Sequence, residues 1–111
     1  MKNNNKIKSG SRDWVSGKIK GFYGRDFISQ NNGSVKLVKV LPSAKYPIHQ
    51  HPEKTEYAYI VNGSPEFLIE NIQYNSEAGD FFIFPANAKH AIENNTNEVC
   101  LLLIGAIKTQ L

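Results

Sequence analysis

One cysteine, one methionine and one tryptophan occur among the 111 residues. A lone thiol, Cys100, excludes both a disulfide framework and a thiolate zinc cluster, and it suits a reducing compartment. Long apolar runs are also missing. The longest, Val99 to Ile107, is far short of the roughly 18 residues that a membrane helix needs. The opening MKNNNKIKSGSRDW carries charge but no apolar stretch of the kind found in a secretory signal. The expectation is a cytoplasmic chain that neither spans a membrane nor is exported. A helical period is absent too, since no 3.6-residue apolar stripe persists over about 11 residues.

Acidic charge is scarce in the first part of the chain. Residues 1–26 hold seven Lys and Arg against Asp13 and Asp26, whereas residues 27–111 hold six Lys against eight acids. The formal excess of +3 therefore sits in a basic arm ahead of a mildly acidic body. Such an arm is a solvated leader before it is a phosphate-binding surface, and nucleic acid is not expected as a partner.

What is present is a β pattern. Residues 1–13 are polar and Asn/Lys-rich and read as a flexible leader, and residues 14–111 read as a single domain. Within it, short β-branched and aromatic stretches recur about every ten residues, separated by Gly, Pro, Asn and Ser, as in an all-β sandwich or barrel. The expected strands are Lys18 to Tyr23, Ser34 to Leu41, Tyr46 to His51, Thr55 to Asn62, Pro65 to Glu70, Asp80 to Phe84, His90 to Asn94 and Glu98 to Ile107. Asn62-Gly63 reads as a type I′ hairpin turn between two of them. Gly33, Gly79 and the Pro85 to Ala88 segment mark other turns.

The three histidines are His49, His51 and His90. Alternation puts His49 and His51 on one face of a strand. After a turn at Pro52 the next strand opens with Glu56, and antiparallel pairing would return its carboxylate to the histidine pair. His90 follows the Pro85 turn and can point into the same lumen. Three imidazoles and one carboxylate suit a divalent transition metal: Mn, Fe, Co, Ni, Cu or Zn. Glu53 also keeps parity with His51, but it follows Pro52 in a turn, so Glu56 is preferred. Alternation then sends Ala58, Ile60, Ile92 and Asn94 inward and gives a mostly apolar lumen. Tyr57, Tyr59 and Val61 fall on the opposite face, as a packing surface. Lys54 and Lys89 flank the ligand positions and read as ordinary exposed lysines.

This spacing resembles the cupin superfamily. Its first motif, G-x5-H-x-H-x(3,4)-E-x6-G, is met by His49, His51, Glu56 and Gly63 in HQHPEKTEYAYIVNG. Its second, G-x5-P-x-G-x2-H-x3-N, is met by Gly79, Pro85, His90 and Asn94 in GDFFIFPANAKHAIEN. Ser43 and Asn87 stand where the motifs have glycine, and Asn tolerates the positive φ that a turn there requires. The resemblance, which extends over residues 34–107, implies a double-stranded β-helix, or jelly-roll barrel, with His49, His51, Glu56 and His90 as metal ligands. Small cupins are commonly dimers, so a homodimer is expected, with residues 15–28 available to lie across a neighbouring subunit's sheet.

Cupin barrels host many activities, so function has to come from the site. Four protein ligands on an octahedral ion leave two positions, enough for a chelating substrate or for a substrate beside dioxygen. The favoured reading is dioxygenase-type chemistry on a small metal-chelating organic compound, with Glu56 also placed to act as a base. The TEYAYIVNGS segment is similar to the corresponding stretch of oxalate decarboxylases. However, both arginines, Arg12 and Arg25, precede the motifs, so neutral or metal-chelated substrates fit better than dianions or phosphosugars. The alternatives are a non-catalytic metal- or ligand-binding sensor or accessory protein, and a sugar isomerase or epimerase.

Overall fold

The computed structural model describes residues 5–109. Among them the chain forms ten strands and no helix: β1 (Val15–Ser16), β2 (Phe22–Gln30), β3 (Gly33–Val40), β4 (Lys45–His49), β5 (Lys54–Asn62), β6 (Glu66–Ile69), β7 (Ile72–Tyr74), β8 (Phe81–Phe84), β9 (His90–Glu93) and β10 (Cys100–Lys108). They build two antiparallel sheets, one in the order β1-β2-β3-β10-β5-β8 and one in the order β4-β9-β6-β7. This is the all-β, two-sheet barrel that the resemblance implied.

The apolar run that ends the chain becomes the centre of the larger sheet. Leu102 on β10 pairs with Val38 on one side and Ile60 on the other, and all three are buried. Phe67, Phe84 and Ile92 join them in the core between the sheets. Each such side chain contributes about 1.5–3 kcal/mol on burial. The inward parity read for Ala58, Ile60, Ile92 and Asn94 holds, since all four are buried.

Two tight turns close the barrel near the site. In Leu41 to Ala44, Pro42 precedes Ser43 at φ 70, and the Ala44 N–H donates to the Leu41 carbonyl at 3.1 Å. In Pro85 to Ala88, Asn87 has φ 67 and the Ala88 N–H donates to the Pro85 carbonyl at 2.9 Å. Both have positive φ at the third residue, where the family motif has glycine.

Two local expectations are corrected. The strand expected at Lys18 to Tyr23 lies at Phe22–Gln30, and β1 and β7 were not anticipated. Gly24, Arg25 and Asp26 hide β2 from a hydrophobicity pattern, and its pairing with β3 creates it. Strands β1 and β2 pair within this chain's own larger sheet. Asn62-Gly63 is no hairpin turn, because β5 and β6 belong to different sheets. Gly63, at φ 93, is required because a Cβ there would lie 2.6 Å from Cys100 Sγ. The two-residue hairpin with positive φ at both central positions is at Glu70 (φ 49) and Asn71 (φ 67), between β6 and β7.

Residues 1–4 of the polar leader lie outside the described part. Further along, Arg12 Nη1 donates to the Asp26 carbonyl at 2.6 Å, and Trp14 receives both the Arg25 guanidinium (4.1 Å) and Lys39 Nζ (4.7 Å) on its ring.

Candidate metal centre

His49, His51, Glu56 and His90 come together, each offering a donor atom within 4.8 Å of the others. They arrive by different routes. His49 ends β4 and pairs directly with His90, which opens β9. His51 lies just past the end of β4, and Glu56 enters from β5 in the facing sheet. The carboxylate thus reaches the histidines across the barrel, not by pairing of its strand with theirs. Pro52 lies in the connection that carries the chain from one sheet to the other.

A bulge sets the approach of His49. Tyr46 pairs with Ile92 and His49 with His90, so three steps on β4 match two on β9. This irregularity breaks simple alternation and turns both Tyr46 and His49 toward the lumen, where their rings lie 4.7 Å apart.

Backbone carbonyls orient two of the imidazoles. His49 Nδ1 is 3.0 Å from the Pro47 carbonyl, and His90 Nδ1 is 3.0 Å from the Ala88 carbonyl. A carbonyl oxygen at that distance requires Nδ1 to carry the proton, which leaves Nε2 as a lone pair in the neutral ring. Phe84 stacks on the His90 ring at 4.4 Å and fixes its plane. His90 Nε2 then lies 3.2 Å from Glu56 Oε1, and His51 Nε2 lies 3.6 Å from the same oxygen. A His90 lone pair facing a carboxylate at 3.2 Å needs a positive charge between them. The donor set and its orientation therefore fit a divalent cation.

The electrostatics agree. Burial is the largest influence on His49 and lowers its pKa below the ordinary 6.5; the neighbouring histidines add to this, against the Pro47 hydrogen bond. Burial pushes the Glu56 carboxyl up, but the close approach of His90, with Lys54 and His51 beside it, outweighs this and holds it below the ordinary 4.5. Both shifts favour the deprotonated, ligating forms.

The four residues line a cavity of about 310 Å³ whose inner wall includes Phe22, Val38, Phe84, Ile92 and Ile104. Glu53, the rival carboxylate, is exposed and outside the cluster. Arg25 does not line this cavity, and neither does Lys89. Three other lysines do, Lys18, Lys36 and Lys54. Lys54 is half-buried with Nζ 3.8 Å from Glu56 Oε2. Lys36, which keeps the parity of Val38 and Val40 but is exposed, escaped the sequence reading. Cys100 is buried, and burial pushes its thiol up, which leaves it unreactive.

A double-stranded β barrel with a His/His/Glu/His cluster at one end defines the class of protein. The family model for the cupin domain matches residues 36–105, and the chain belongs to the cupin family. No curated protein matches it in sequence. Among solved structures it is similar to KdgF from a Halomonas species, with a TM-score of 0.79 and 19% identity over 90% of each chain. It is also similar to a predicted oxalate decarboxylase from Thermotoga maritima, with a TM-score of 0.77 and 22% identity over 86% of this chain and 90% of that one. A sugar phosphate isomerase of the cupin superfamily from Silicibacter pomeroyi gives a TM-score of 0.72 and 21% identity over 82% of this chain and 62% of that one. At these identities the likeness establishes the fold. No helix among the described residues is long and apolar enough to cross a membrane.

Proposed function

We propose that the chain is a small metal-dependent enzyme with dioxygenase-type chemistry on a small organic substrate that chelates the ion. The observation that carries this reading is the convergence of three imidazoles and one carboxylate at a cavity of about 310 Å³. His49, His51, Glu56 and His90 would hold a divalent ion from the series Mn to Zn. When bound, that ion supplies Lewis acidity and, if redox-active, a path for electrons.

The chain's own residues do the rest. The carbonyls of Pro47 and Ala88 hold the His49 and His90 rings in one tautomer. Phe84, Ile92 and Ile104 keep water from the inner wall, and Tyr46 borders the His49 side. Glu56 is the one carboxylate among the cavity-lining residues, and its oxygens are placed to take a proton from a substrate hydroxyl.

Elemental analysis of untagged protein, followed by dioxygen uptake on a panel of enolates, diols and catechols, tests the reading. Near-stoichiometric iron, manganese, nickel or copper with uptake supports it. Zinc, or metal without turnover, moves the assignment to an isomerising role or to a non-catalytic ligand-binding module. Protein that neither contains metal nor accepts it on reconstitution overturns it.

We further propose a homodimer formed through the outer face of the larger sheet. Tyr59, Val61, Phe81, Ile83 and Ile107 all lie on that face with 41–59% of their surface exposed, so nothing among the described residues covers the row that Tyr57, Tyr59 and Val61 begin.

A further inference from the structure

The cavity's charge does not match a neutral substrate. Three ammonium groups border it, from the connection before β2 (Lys18), from β3 (Lys36) and from the start of β5 (Lys54), and Glu56 is the single acid among the lining residues. Lys54 has a partner in Glu56. Lys18 and Lys36 have no carboxylate within 4.0 Å among the described residues, although Asp26 is the strand partner of Lys36.

Lys36 is the most informative of the three. On β3 it keeps the parity of Val38 and Val40, both buried, but is itself exposed, so the pattern that is apolar deeper in the barrel ends in a solvent-facing cation at the cavity's mouth. Gly24 on the neighbouring strand adds no side chain there; a Cβ at Gly24 would touch the Lys36 stem at 3.7 Å. The stem packs along this bare stretch while the ammonium stays at the opening. Lys36 pairs across to Ile104, and Ile104 pairs on to Ala58, two residues from Glu56. With strands about 4.8 Å apart, the Lys36 backbone stands about 10 Å from β5, a gap that a chain of a few carbons spans.

We propose that the cavity binds a small organic anion that presents a chelating pair of oxygens to the four-residue cluster and a second anionic group to Lys36 and Lys18. This rests on reading that cluster as a metal centre. With a divalent ion held there, Glu56 sets a single negative charge against the ion and three ammonium groups. A low-dielectric cleft of one sign concentrates counter-charged ligands, so an anion is drawn in where a neutral diol gains nothing. The absence of arginine from the lining removes only the bidentate fork; lysine binds carboxylate or phosphate as a point charge.

Calorimetry on the full chain loaded with Mn²⁺, and on chelator-stripped protein, tests this with two probes. 2-Oxoglutarate carries the chelating 2-oxo acid and a distal carboxylate, whereas 2-oxobutyrate carries only the former. The loaded protein is expected to bind 2-oxoglutarate at least about tenfold more tightly, with the margin shrinking as salt rises. Lys36→Met and Lys18→Met should abolish most of that margin while leaving 2-oxobutyrate affinity within about twofold, and Lys36→Arg should restore it. Equal affinity for the two acids, a margin that survives both Met variants, or no binding of either at millimolar concentration overturns the proposal. The metal reading fails separately: a lysine-dependent margin that is the same with and without Mn²⁺ keeps the anion site and removes the ion from it.

Discussion

His90 Nε2 and Glu56 Oε1 face each other at 3.2 Å across the gap between the two sheets, with His90 Nδ1 committed to the Ala88 carbonyl. Two acceptors at that separation are compatible only with a proton or a cation between them. The pair is thus arranged to hold positive charge, and the other two imidazoles complete the donor set.

Removing one partner of this pair should empty the site. His90→Ala and Glu56→Gln are each expected to reduce bound metal to below about a tenth of the wild-type content, because three donors remain and the fourth position opens to water. Elemental analysis of the purified variants, with circular dichroism to verify folding, checks this. Wild-type metal content in both variants would remove them from the ligand set.

The metal-free protein should lose stability as pH falls. His49 has a folded-state pKa below 6.5, so the unfolded chain takes up a proton first, and the contribution present above pH 6.5 is lost as pH drops through the folded value. Glu56, held below 4.5, repeats this in the more acidic range. Urea midpoints of chelator-treated protein should fall from pH 8 to 6 to 4, and His49→Gln should flatten the first step. A midpoint that rises on acidification would contradict the sign.

Asn94 is a structural knot with no part in the site. Its Nδ2 donates to the Val40 and Glu98 carbonyls at 3.0 and 2.7 Å, and its Oδ1 accepts from the Thr96 N–H at 3.0 Å and the Thr96 hydroxyl at 2.6 Å. Asn94→Ala takes these bonds away, the buried one to Val40 among them, at a cost of about 3 kcal/mol. Thermal melting should fall by more than about 10 °C. A shift under a few degrees would mean that water replaces the side chain.

The exposed apolar row predicts the assembly. Light scattering should give twice the 12.5 kDa chain mass, and Phe81→Lys combined with Ile83→Lys should give the single-chain mass with an unchanged metal content. A monomer at micromolar concentration in the wild type would exclude the interface.

Legibility in the sequence followed locality. His49, His51 and Glu56 are close along the chain, so motif spacing picked them out, while parity placed Ala58, Ile60 and Ile92 on their strands and Asn94 one residue past β9. Parity failed where a partner strand imposes irregularity: the β4 bulge brings in Tyr46, which no count from His49 selects. Turn chemistry failed for a related reason. Asn62-Gly63 has the composition of a hairpin, but the strands that flank it join different sheets, while Glu70-Asn71 makes the turn because β6 and β7 pair around it. Strand β2, interrupted by Gly24, Arg25 and Asp26, exists because β3 offers it an edge. Lys36 keeps the parity of Val38 and Val40 but is exposed at the mouth, and nothing in its spacing marked it.

The four donors do not belong to one layer. His49 and His90 sit on the four-stranded sheet and Glu56 on the six-stranded one, in a chain with a single thiol and therefore no covalent cross-link. An ion gripped by all of them would be the clasp of the barrel, and its departure would let the mouth breathe. Backbone amides at the end of β4, the start of β9 and the start of β5 would then exchange with solvent as one cooperative unit, slow when loaded and fast when stripped. The stiffness of the entrance would follow metal supply, so that the protein's resistance to proteolysis reports on the cation content of its surroundings.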